Sequence, residues 1–405
     1  MKKTLISLFL GAATAASAQV TLQNATLWQN PQTRVVEVTY ELAGSEPVYI
    51  TLGIETNGIP IPPPVTLIGD VTTTQNPVAV EPDTAPKKIY WNAKQDWPGN
   101  LTTDARAVVT AWFTDDPPAN LASYVVVDLS DGPSAPWYPV WYSVAPPDLG
   151  DNTCRTNELW LRRIPAGTFM MGSPTTETGR IPEREDLHEV TLTQDFYIGV
   201  FPVTQAQYEL VMGTNPSQYT GDLRPVEMVS YNMIRGTTLG AQWPANNNVD
   251  ATSFMGLLRA KTGLTFDLPT DAQWEYACRA GTTSALYTGK DLTGTSTCPN
   301  VAEIARYAGN AGSGQHTTMG SYLPNVWGLY DMCGNVNEWC LDWYVEGLGT
   351  SPVTDPKGPT SGSNRVRRNS SYTGNAASCR SAYRASATFP SSTNYQFGFR
   401  AAIQP

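Results

Sequence analysis

The sequence predicts an α+β chain in two parts, an all-β sandwich followed by a larger domain of short strands, few helices and long loops. Three observations carry that prediction. In the first third, apolar residues alternate with polar ones in short runs bounded by proline and glycine, the period of half-buried strands. After Pro146-Pro147 the pattern changes, and two segments acquire helical spacing with cap residues at their ends. Throughout, 33 Gly, 32 Pro, 12 Trp and 19 Tyr accompany only 15% charged residues, a composition of loop-rich globular domains and not of helical bundles or disordered tails.

Taken in order, residues 1–18 have the layout of an export signal: Lys2 and Lys3, the apolar run 5–13, then Ala16-Ser17-Ala18, with cleavage expected after Ala18. That run is too short for a bilayer, and no later stretch reaches the ~20 apolar residues of a membrane helix. A secreted, periplasmic or cell-surface protein without a transmembrane segment is expected. Residues 19–147 are expected to form an immunoglobulin-like sandwich with strands at 36–42, 48–54, 88–91, 107–113 and 124–127. Trp91 and Trp97 are read as core aromatics, with a sugar platform as the alternative. Residues 148–158 read as a linker and 159–405 as the second domain. There the segment 251–261 places Phe254, Leu257 and Leu258 on one helical face ahead of the stop signal Gly263. Thr270 and Gln273 form a capping box at the head of a helix over Asp271–Arg279.

Composition excludes some functions. Lys+Arg is 26 against Asp+Glu 36, a formal charge of −10, and removal of Lys2 and Lys3 with the signal makes it −12. A nucleic-acid binder needs a basic face, so this balance disfavours that class, and no nucleic-acid partner is expected. Two histidines are too few for a multi-histidine metal site. All six cysteines lie in the exported part, where disulfides are permitted. Their pairing stays open: Cys333 and Cys340 can join each other, or Cys278 or Cys154.

Eight stretches of the second half share one family's order: 164–173 (IPAGTFMMGS), 188–192 (HEVTL), 201–208 (FPVTQAQY), 225–231 (PVEMVSY), 268–277 (LPTDAQWEYA), 325–332 (NVWGLYDM), 333–339 (CGNVNEW) and 397–400 (FGFR). From about Leu159 onward the chain resembles the formylglycine-generating sulfatase-modifying-factor family. The resemblance implies a C-type-lectin-like fold of the formylglycine-generating-enzyme type. Family members that oxidise a sulfatase cysteine to formylglycine use two cysteines five positions apart to hold copper and engage the substrate thiol, chemistry that needs thiolates. Here Cys379 matches the second position and Gly374 the first. Cys379 is therefore a catalytic candidate only if the protein is an oxidase, and with the other thiol missing neither enzyme activity nor copper is expected. The alternative reading keeps a copper-dependent oxidoreductase that converts a sulfatase cysteine to formylglycine. The resemblance also implies calcium held by oxygen ligands in 334–338, with Asn335, Val336 and Glu338 as candidates. Hydrogen bonding of Asn335 and Glu338 to the local backbone is the plainer alternative. Histidine-held non-haem iron, used by other branches, is not expected with His188 and His316 alone.

In the stretch 369–397, every residue except Gly374, Cys379, Arg380, Arg384, Pro390 and Gln396 is Asn, Ser, Thr, Tyr, Ala or Phe. Tyrosine supplies rigid amphipathic area and Ser, Thr and Asn supply adaptable hydrogen bonds, as in antibody loops. The stretch resembles the variable region of diversity-generating-retroelement target proteins, some of which use this same lectin-like fold. The expected ligand face comprises Asn369, Ser370, Ser371, Tyr372, Thr373, Asn375, Ser378, Tyr383, Ser386, Thr388, Phe389, Ser391, Ser392, Thr393, Asn394 and Tyr395. An ordinary polar loop is the competing interpretation. The leading expectation is a secreted, bacterial-type binding protein for a protein or glycan ligand on a cell or phage surface.

Overall fold

The computed structural model describes residues 9–10 and 20–404, except 32, 62, 63, 65, 74–77, 84, 99–103, 115–121 and 313. The expected export signal lies outside the described residues apart from Phe9–Leu10, a two-residue strand paired in parallel with Ala105–Phe113. Contacts divide the chain into two units, Met1–Ser123 with Tyr142–Ala145, and Tyr124–Trp141 with Pro146–Pro405.

The first unit has two four-stranded sheets. One orders Thr21–Gln29, Val35–Ala43, Lys87–Asn92 and Leu67–Gly69; the other orders Phe9–Leu10, Ala105–Phe113, Val48–Thr56 and Ile59–Pro60. Alternation along Val35–Ala43 sends Val36, Val38, Tyr40 and Leu42 into a core shared with Ile50, Leu52, Ile54 and Val109 of the other sheet. Each such side chain contributes roughly 1.5–3 kcal/mol when fully buried. Trp91 is 3% exposed in that core, and its indole N–H donates to Asp96 Oδ2 at 2.9 Å. Trp97 packs partly buried against the same cluster. The two tryptophans are core residues and not a platform.

The boundary differs from the expected one. Tyr124–Asp128 pairs antiparallel with Glu158–Ile164 and so belongs to the second unit, not to the sandwich. Its run of Tyr124, Val125, Val126 and Val127 is buried throughout, a strand covered on both faces. Apolar character identifies such a segment as a strand but does not specify its partner sheet. The expected linker 148–158 likewise carries a helical turn, Thr153–Thr156, with Cys154 buried beside Tyr124, Phe201 and Met319.

In the second unit, Glu158–Ile164 pairs on its other side with Phe196–Gly199, which pairs with Ala402–Ile403, which pairs with Phe266–Asp267. The helix Asp271–Arg279 forms as expected, with both capping-box bonds of Thr270 and Gln273 present, and every one of its residues is buried. The other predicted helix runs over Phe254–Thr262, capped by Ser253 and ended by Gly263 at φ +73°. Its first expected turn, 251–253, is instead the turn that delivers the Ser253 cap. The strand Asn337–Trp343 is buried along six of its seven residues. It lies between Arg365–Arg368, antiparallel, and Phe397–Phe399, parallel, and so carries both ends of the C-terminal segment.

Candidate functional site

Four arginines pin that segment to the interior. Arg368 pairs with Asp271 and, at 2.9 Å, with Glu275. Arg380 reaches Glu177 and Glu185, both at 2.7 Å, Arg384 reaches Asp271 at 2.9 Å, and Arg400 reaches Glu338 at 3.0 Å. All four guanidiniums are fully buried, which is tolerable only because each meets a carboxylate and several carbonyls. Chain between the anchors is free to loop outward.

The expected ligand face is therefore split. Thr373, Asn375, Ser386, Phe389, Ser391 and Thr393 are exposed, and Tyr383, Thr388, Ser392, Asn394 and Tyr395 are half-buried. Asn369, Ser370, Ser371, Tyr372 and Ser378 are buried, contrary to expectation. Short polar side chains here bond to the inside of the loop. Asn369, at φ +65°, donates to the Asp331 and Gly334 carbonyls at 2.9 and 2.8 Å, and the Ser370 and Ser378 hydroxyls meet at 2.8 Å. A narrow polar alphabet marks such internal bonding as readily as a contact surface.

Tyr372 and Tyr395 nonetheless converge, and they do so with Tyr219 and His316, neither of which the sequence placed on the ligand face. The Tyr219 ring lies 5.9 Å from His316 and Tyr395 and 6.4 Å from Tyr372, while Tyr372 lies 5.9 Å from His316. Edge-to-face contacts of this kind contribute ~0.5–1.5 kcal/mol each beyond area burial. Glu227, buried behind them, accepts the Tyr219 backbone N–H at 2.7 Å and so fixes that ring. His316 Nε2 stands 3.6 Å from Glu227 Oε1, beyond hydrogen-bond reach. Both His316 nitrogens and Glu227 Oε2 are buried without a protein partner. Burial and the neighbouring Tyr219 push the Tyr372 phenol well above its usual range. Glu227 lies inside a quoted motif, but nothing periodic links Tyr219 or His316 to it.

Gly374 sits next to this cluster, its amide bonded to the Ser371 carbonyl and its carbonyl to Ala308 N–H, both at 2.9 Å. A Cβ at position 374 would run into Ser370 Oγ and stand 2.7 Å from Ser378 Oγ. The serine pair fills the place where the first thiol would be. Cys379 is 1% exposed, and burial pushes its thiol up to about 12. All six cysteines are buried free thiols, so none of the pairings left open by the sequence is formed. Because the thiolate is the reactive form, iodoacetamide at about pH 8 is expected to leave Cys379 unmodified until the protein is denatured. Peptide mass spectrometry showing native labelling there would contradict this burial.

A family model described as the sulfatase-modifying factor enzyme 1-like domain matches residues 151–405, more than half of the chain. The chain belongs to this family. Relatives of the sulfatase-modifying factor domain include a formylglycine-generating enzyme of Streptomyces coelicolor, 40% identical over 144 residues, covering 33% of this chain and 46% of that protein. The serine/threonine-protein kinase pkn1 of Chlamydia pneumoniae is 29% identical over 245 residues, 59% of this chain and 37% of its own length. The chain thus spans less than half of either relative. Among solved structures, Treponema denticola variable protein 1 is similar at 28% identity and a TM-score of 0.48, covering 61% of this chain and 96% of that one.

Within the sulfatase-modifying factor domain, the residues expected to hold calcium are engaged otherwise. Glu338 Oε1 faces Arg400 Nη2 at 3.0 Å, and Oε2 accepts from Trp274 Nε1 at 2.7 Å and Arg400 Nε at 3.1 Å. Asn335 accepts from Thr317 N–H at 2.9 Å and donates toward Asp331 at 3.4 Å. Val336 is a buried core residue. With a guanidinium occupying both Glu338 oxygens, the set does not fit a hard cation. Burial pushes the adjacent Asp331 carboxyl from 3.8 up to about 6, against the opposing pull of the Gly320 N–H. Its contribution to stability is thus present below about pH 4 and lost as pH rises through about 6. Relative to wild type, Asp331→Asn is expected to gain roughly 3 kcal/mol across that window. A stability difference that stays flat with pH in denaturant titrations would contradict this.

Proposed function

We propose that this chain is an exported, secreted or surface-held binding protein whose C-terminal loops receive a protein or glycan ligand on a cell or phage surface. One observation carries the reading. The segment is pinned at Arg368, Arg380, Arg384 and Arg400, while Thr373, Asn375, Ser386, Phe389, Ser391 and Thr393 between those pins face solvent, Phe389 at 62% exposure. An exposed aromatic among Ser, Thr and Asn supplies contact area and adaptable hydrogen bonds together. Half-buried Tyr395 and Tyr219 extend that surface onto the aromatic cluster. The closed position at Gly374 and the protonated, buried Cys379 support binding over oxidation.

The sharpest version is that these exposed positions are diversified. Sequencing the locus in sibling strains is expected to concentrate substitutions there, and an even spread along the gene would count against it. Incubation with copper, oxygen and a peptide bearing a sulfatase-type cysteine is expected to yield no formylglycine. Turnover that disappears in Cys379→Ser would overturn the reading in favour of the oxidase.

A further inference from the structure

A cleft of about 480 Å³ opens beside the C-terminal end of the strand Asn337–Trp343, apart from the aromatic cluster. Its walls include Met171, Leu348, Val353 and Pro359, and its polar lining includes His188 and Asp342. The guanidinium at the cleft, that of Arg384, is already engaged. Arg384 gives Nε to Asp271 at 2.9 Å and Nη1 to the Val345 and Glu346 carbonyls at 2.9 and 3.0 Å. Lys357 is exposed, its Nζ 5.8 Å from the Trp243 ring centroid.

The acceptors are not engaged. His188, 4% exposed, makes a 2.8 Å bond between Nδ1 and the Asp186 carbonyl. A carbonyl only accepts, so Nδ1 carries the hydrogen and Nε2 of the neutral ring presents a lone pair. No protein donor meets that nitrogen among the described residues. Asp342, 3% exposed, receives the Asp271 N–H on Oδ2 at 2.8 Å, and no described donor meets Oδ1. Two buried acceptors above apolar walls call for a ligand that donates hydrogen bonds from one end and is apolar at the other.

We propose that this cleft binds a small organic cation, a protonated primary amine with an apolar body, its ammonium on Asp342 and His188 and its body against Met171, Leu348, Val353 and Pro359. Burial, and then the charge of Asp271, push the Asp342 carboxyl up to about 7, against the opposing pull of Arg384 and Arg365. An added cation offsets that cost, whereas an added carboxylate increases it. The cleft shares Arg384 with the anchored segment but none of the exposed loop residues, so amine binding here and ligand binding there are read by separate experiments.

Isothermal titration of the intact chain with n-hexylamine, n-hexanol and hexanoate tests it at neutral pH. Hexylamine is expected to bind saturably and at least about tenfold more tightly than the alcohol or the acid, the effect of one charge-assisted hydrogen bond. Asp342→Asn is expected to erase that preference with its melting temperature maintained. Equal binding of amine and alcohol, preference for hexanoate, unsaturable hexylamine, or an unchanged preference in a folded Asp342→Asn overturns the proposal. If the variant folds poorly, the three-ligand comparison on the wild-type chain decides alone.

Discussion

Replacing Glu338 with alanine is expected to destabilise the second unit by roughly 3–5 kcal/mol, and by the same amount whether calcium is added or chelated. The variant leaves the Arg400 guanidinium and the Trp274 indole N–H buried without their shared acceptor. Uncompensated buried charge, and not loss of a bound ion, sets the size of the effect. Calorimetry in excess calcium and in excess chelator measures it. A loss that appears only when calcium is present would restore the calcium assignment and contradict the ion-pair account.

The second large effect is expected at Arg380. Truncation to alanine strands Glu185, which is fully buried, and removes the bonds to Glu177 and the Gly179 carbonyl. A cost of roughly 3–5 kcal/mol follows by the same argument. Substitutions at Ser386, Phe389, Ser391 and Thr393, which are exposed, are expected to stay within about 0.5 kcal/mol. Chemical denaturation of the five variants reads the contrast. Comparable losses at the anchor and at the exposed positions would mean that the loops are structural, leaving no tolerant surface to vary.

Legibility in the sequence followed the range of the interactions. The helix Asp271–Arg279 could be read because its capping box is local, spanning Thr270 to Gln273. Arg380 and Arg384 are visible as exceptions to the small alphabet of 369–397, yet their partners Glu177, Glu185 and Asp271 are distant in the chain and carry no shared period. Gly374 showed the missing thiol, but only the fold shows that the Ser370–Ser378 pair closes the space. Asn369 to Tyr372 were misread because Ser and Asn serve buried loop carbonyls as well as they serve ligands. Tyr124–Asp128 was recognisable as a strand, whereas its sheet was decided by Glu158–Ile164, beyond the strand Val140–Ser143 and the helical turn Thr153–Thr156. Tyr219, Glu227 and His316 join across three separate loops, and no residue pattern announces such a meeting.

The claim at the centre of this account is that exposed chain between the arginine anchors is a recognition surface. Probing a combined glycan and peptide array with wild type, Phe389→Ala and Tyr395→Ala tests it most directly. Wild type is expected to mark a discrete set of features that both variants lose while remaining folded, Phe389→Ala at the wild-type melting temperature. Variants that retain the wild-type binding profile would contradict it.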